Sequence, residues 1–147
     1  MAFTAGSSEF VYGTPVTAIS EATTAIAVDA FDAGTKTAVT SDAPLADGAL
    51  LIDWAVAPTV GDQIKLFRRD LNIDGANDAP VPDATYLYTY VGSFYVDAVT
   101  TSQYLSLQNI PLSKDCEFYI QNSTDQATSA SITMTLKITP KSYNVTA

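Results

Sequence analysis

A chain of 147 residues, 47% hydrophobic, 10% aromatic and 16% charged, has the length of one domain and enough apolar material to fold without disulfide or metal staples. That hydrophobicity excludes intrinsic disorder, and the low charged fraction excludes a coiled coil. Sixteen acidic against seven basic residues give a net charge of −9, which repels phosphate, so neither nucleic acid nor an anionic membrane surface is an expected partner.

Met1 to about Thr23 is polar and small, with isolated Phe3, Phe10, Tyr12 and Ile19 and no clear period. It reads as an extended N-terminal arm (residues 1–23) leading into a β-sandwich domain (residues 24–147). The opening has neither a basic n-region nor an apolar h-region, so a secretory leader is not expected. The sequons at Asn122 and Asn144 are then chance matches. Thr24 to Val28 reads as the first strand and Asp29 to Gly34 as a polar turn. Thr35 to Ser41 alternates weakly and reads as the second strand. Asp47-Gly48 signals a turn before a third strand, Ala49 to Ala57. There Leu50, Ile52, Trp54 and Val56 share one face by the two-residue period.

Pro58 to Gly61 breaks the chain again. In the next strand Ile64, Leu66 and Arg68 oppose Lys65, Phe67 and Arg69. Asp70 to Asp83 is irregular, and Tyr86 to Val99 is one bent strand or two broken at Gly92. Tyr104 to Gln108 is short. Asp115 to Asn122 alternates well, with Cys116, Phe118 and Ile120 on one face. Ser123 to Thr128 is a polar hairpin loop. Ile132, Met134, Leu136 and Ile138 give the cleanest alternation, and Pro140 ends it. About eight short strands with no 3.6-residue apolar period predict an all-β fold, a single antiparallel β-sandwich of jelly-roll kind.

Few residues invite chemistry. There is no histidine, which removes Ser-His-Asp and Cys-His catalysis and the commonest zinc ligand. The single cysteine, Cys116, lies on an apolar strand face and reads as a small buried hydrophobe. Asp53, Asp97, Asp115 and Glu117 are the carboxylates in strands that a glycoside hydrolase would need in pairs, but Asp53 and Asp97 alternate toward solvent. Asp70-Leu71-Asn72-Ile73-Asp74-Gly75 matches the start of a calcium loop, D-x-N-x-D-G. Its twelfth position is Val81 instead of the bidentate Glu, and no helices flank it, so Asx turns account for the same residues. Tyr86, Tyr88 and Tyr90 fall on one strand face, as a cross-strand cluster or a partner contact. No catalytic, metal or cofactor residue is therefore expected, and the chain does not read as an enzyme.

Five stretches carry a family resemblance. Pro44 to Trp54, Val60 to Phe67, Leu105 to Pro111, Glu117 to Ser123 and the threonine-rich Ile132 to Tyr143 are similar in pattern and order to small virion proteins of tailed bacteriophages. The style resembles most the capsid decoration, or cement, proteins. The resemblance implies a jelly roll, commonly a homotrimer, assembled in the host cytoplasm. It would sit on the outer capsid surface between capsomers and clamp the major capsid protein against internal DNA pressure. The family has no site motif to carry over. In this reading Phe3, Phe10 and Tyr12 anchor the arm on a neighbour, and Tyr86, Tyr88 and Tyr90 are further contact residues. Tail, collar or head-fibre base proteins share the texture. A carbohydrate-binding β-sandwich using the Tyr86 stripe is the alternative from another class.

Overall fold

The computed structural model describes residues 8–22, 24–87 and 89–145. Ten strands form two antiparallel sheets, and no helix occurs among the described residues. They are β1 (Ser8–Tyr12), β2 (Val16–Glu21), β3 (Thr35–Lys36), β4 (Val39–Thr40), β5 (Leu45–Ile52), β6 (Gln63–Asp70), β7 (Tyr90–Tyr95), β8 (Gln103–Pro111), β9 (Asp115–Ser123) and β10 (Met134–Val145). The larger sheet runs β3-β2-β10-β5-β8, with β1 also on β10, and the smaller runs β4-β9-β6-β7. Four pairings, β2·β10, β4·β9, β5·β8 and β6·β7, alternate between the two sheets. A long antiparallel ribbon with its tip between β6 and β7, rolled up on itself, gives this pattern. It is the jelly roll expected from the strand count.

The core lies between the sheets and follows the period of two. On β9 Cys116, Phe118 and Ile120 are fully buried, and on β10 so are Leu136 and Ile138. Ala46, Leu50 and Ile52 of β5, Ile64 and Leu66 of β6 and Phe94 of β7 complete the layer. Gly48 lies inside β5, not in a turn. An added Cβ there would sit 2.9 Å from Ile110 Cδ1 and 3.5 Å from Phe94 Cζ, so the core itself fills the space that a side chain would need. Gly92 serves the open side of the roll, where its missing side chain lets β7 approach Leu107 of β8.

Several elements differ from the expected ones. Residues 8–21 are extended, as expected of an arm, but they belong to the larger sheet. Ala18 and Ile19 are fully buried, so no boundary at residue 23 separates arm from domain. Residues 1–7 lie outside the described residues. Thr24 to Val28 is not a strand but a connection held by Ile26, which bonds Thr128 from both its N–H and its C=O. Thr35 to Ser41 splits into β3 and β4, one in each sheet. β5 ends at Ile52. Trp54 forms only an isolated bridge to Thr128, and Val56 is exposed. β7 begins at Tyr90, so Tyr86 precedes the strand.

Pro140 does not end β10. Its carbonyl accepts a 2.7 Å bond from Gly13 N–H, so its missing N–H faces the gap between β1 and β2, where no ladder bond is required.

Candidate functional site

β10 is longer than its neighbour β5, whose first residue, Leu45, pairs with Lys141. Beyond that point Ser142 to Val145 pair only with β1, so β1 and the end of β10 form a two-stranded ribbon past the sandwich. Tyr12 opposes Lys141 and Phe10 opposes Tyr143, which puts all four side chains on one face. The Phe10 and Tyr143 rings meet edge to face at 5.3 Å. Phe10, Tyr12 and Tyr143 remain 46%, 56% and 58% exposed.

Lys141 is the root of this ribbon. Its side chain is 5% exposed, with Nζ 2.7 Å from Asp47 Oδ1 and 4.7 Å from the Phe10 ring centroid. An ammonium so enclosed needs both the carboxylate and the ring faces. Asp47 also accepts a 3.2 Å bond from Asn109 N–H. Burial pushes the Asp47 carboxyl upward, but Lys141, the Asn109 amide and the Tyr12 hydroxyl together hold it below its ordinary value. Under the ribbon's other face, Val11, Pro140 and Ser142 line a cleft of ≈ 320 Å³ together with Asp42. Phe10 and Tyr12 thus share one face of the ribbon, while Tyr143 and Lys141 escaped the sequence reading. Their only signal there was that β10 alternation continues through Pro140.

Tyr86 and Tyr90 do not share a strand. Tyr86 lies in the loop before β7 and Tyr88 lies outside the described residues. Tyr90 packs against Phe67 at 5.8 Å on the outer face of the smaller sheet, with its hydroxyl 2.7 Å from Ser93 Oγ. Phe3 also lies outside the described residues. Tyr90 and the Phe10 cluster therefore occupy different sheets.

Asp115, Glu117 and one oxygen of Asp53 accept bonds from the chain's own donors, while Asp53 Oδ1 is buried without a hydrogen-bond partner among the described residues. Asp53 is buried, not solvent-facing, because the strand ends beside it and Ser131 Oγ donates to it. Asp97 lies outside β7 and is exposed. Asp115 accepts bonds from Thr40 and Asn72, and Glu117 from Arg69 and Tyr119. In the Asp70 loop, Asp74 takes the amides of Ala76 and Asn77, Asp78 takes that of Asn72, and Asp70 pairs with Arg68. Asn72 and Gly75 adopt positive φ, which Asn and Gly tolerate in tight turns. No group of three His, Cys, Asp or Glu able to hold a metal occurs among the described residues.

Cys116 is fully buried, and burial raises its thiol pKa. Asn122 is also fully buried, its amide donating to Ile26 and Gln126 carbonyls, so this sequon is closed to a glycan. The Asp29 to Gly34 turn holds a pair the sequence did not announce. Asp32 accepts Ile120 N–H and pairs with Lys36, whose Nζ lies 4.7 Å from the Tyr119 ring centroid. No protein-family model matches the chain, and a search of curated proteins gave no match.

Proposed function

We propose that the chain is a structural virion protein of a tailed bacteriophage, a capsid decoration or cement protein that acts by binding and not by turnover. The observation that carries this reading is the β1/β10 ribbon. A two-stranded ribbon is marginal by itself in water, and unpaired strand edges invite another chain. Here the ribbon also presents Phe10, Tyr12 and Tyr143, and exposed aromatics of this kind supply most of the energy of protein interfaces. The expected neighbours are the major capsid protein, at junctions between capsomers on the outer surface, and two further copies in a homotrimer. A net charge of −9 keeps such a protein off the packaged DNA.

The test is co-sedimentation with empty capsids assembled from the major capsid protein encoded alongside this chain. Saturable binding by the natural protein, lost in a Tyr143→Ser variant that keeps both rings over Lys141 and melts as the natural protein does, is the expected result. Equal binding by both proteins, or no binding by either, refutes it. Binding of the ribbon to tail or collar particles instead would move the protein within the virion.

A further inference from the structure

We infer that the outer face of the smaller sheet is a binding trough for a neutral oligosaccharide chain, separate from the ribbon on the other sheet. Two shallow hollows lie on this face and share Lys65. One, of ≈ 220 Å³, is lined by Phe67, Leu87, Tyr90 and Gln121 with Lys65. The other, of ≈ 260 Å³, is lined by Asp62, Gln63 and Ser123 with Lys65. Each is smaller than the ~300–1,000 Å³ of a pocket that engulfs a compact ligand. Joined end to end along the strands, they suit a chain that lies on the surface.

Register puts two tyrosines on this face. Tyr90 opposes Phe67 and Tyr95 opposes Gln63, with a bulge at Gly92 between them. They are 50% and 64% exposed. At 3.3 Å per residue they stand about 15 Å apart along β7, the span of several sugar units and not of one. The Tyr90 ring is already fixed, edge-on to Phe67 and hydrogen-bonded through Ser93 to Gln63 Oε1 at 2.9 Å. A fixed ring loses little freedom when a flat apolar sugar face stacks on it.

The polar groups between the tyrosines have the complementary chemistry. Gln63 uses its oxygen internally, which leaves its amide N–H groups for a ligand. Gln121 uses its N–H on Asp29 O, which leaves its oxygen as acceptor. Among the described residues Lys65 forms no ion pair, unlike Lys36, Arg68, Arg69, Lys114 and Lys141. Sugar hydroxyls both donate and accept, so alternating donors and acceptors between two aromatic rings match a glycan. One lysine beside Asp62, on a chain of net charge −9, does not suit a polyanionic one. The tyrosines differ from the sequence-level stripe. Tyr90 is common to both, Tyr95 joins it, and Tyr86 precedes the strand.

Isothermal titration with hexasaccharides of β-linked glucose, β-linked N-acetylglucosamine and α-linked mannose tests this, with a polyuronate as the charged comparison. At least one neutral hexasaccharide is expected to bind with Kd below about 1 mM. Tyr95→Ala, on an exposed ring whose loss leaves the fold intact, is expected to weaken that binding about tenfold. Tyr12→Ala, on the opposite sheet, is expected to leave it unchanged. The inference falls if no neutral hexasaccharide binds, if only the polyuronate binds, or if Tyr95→Ala binds as well as the natural protein. It falls equally if Tyr95→Ala abolishes capsid binding while no glycan binds, since the face is then a protein contact.

Discussion

Replacing Asp47 by Ala leaves Lys141 without its carboxylate at the place where the ribbon joins the sandwich. The Lys141 side chain is 5% exposed and its Nζ lies 2.7 Å from Asp47 Oδ1. Breaking a buried pair by removing one partner costs about 3–5 kcal/mol. Asp47 keeps a quarter of its side chain in solvent, so the lower end, about 3 kcal/mol, is the expected loss. For a chain of this size that is a fall in melting temperature of about 6–12 °C. Lys141→Met in the Asp47→Ala background removes the stranded ammonium and is expected to recover most of the loss. The pH dependence has a definite sign. The folded Asp47 pKa lies below 3.8, so the pair's contribution is present above that value and lost as pH falls through the folded pKa. The gap between natural protein and Asp47→Ala, measured by urea unfolding from pH 7 to pH 3, is therefore constant at the high end and narrows as pH falls below about 4. A loss under about 1 kcal/mol at pH 7, as for an exposed pair, would refute the reasoning.

Three further outcomes follow from the packing. Phe94→Ala opens a cavity between the sheets at a fully buried position and is expected to cost about 3–5 kcal/mol, seen as a melting temperature lower by about 6–20 °C. Cys116, fully buried with a raised thiol pKa, is expected to react with a disulfide reagent more than about 100-fold slower in the native than in the unfolded protein. Because the Asp70 loop satisfies its own carboxylates, millimolar calcium or chelator is expected to move the melting temperature by less than about 1 °C, and a clear rise with calcium would make the loop an ion site.

The strands that bury one face were legible in the sequence, because alternation records burial directly. Cys116, Phe118 and Ile120, or Leu136 and Ile138, could hardly face anywhere but inward. The misplaced elements are those where local chemistry and tertiary context disagree. Asp47-Gly48 has the composition of a turn, yet the core supplies Ile110 and Phe94 where a side chain would go. Thr24 to Val28 has strand composition, yet only Ile26 bonds across to Thr128, Thr24 N–H goes to Glu21, and no ladder forms. β1 and β2 carry too little periodicity to announce themselves and are held by pairing with β10.

The ribbon was half legible. Phe10 and Tyr12 stood out as isolated aromatics. Their partners Tyr143 and Lys141 lay beyond a proline that looked like a strand end, and only the gap between β1 and β2 shows why that proline is tolerated. Likewise the tyrosines near residue 90 drew notice, but the start of β7 and its bulge decide which of them share a face.

The central claim is that the ribbon completes itself on another virion protein. Hydrogen exchange of the β1 amides, Val11 and its neighbours, in the free protein and on capsids tests it most directly. The account predicts rapid exchange along β1 in the free protein and strong protection on capsids, with the rest of the sandwich little changed. Unaltered exchange along β1 on capsid-bound protein, or protection confined to the smaller sheet, would contradict it.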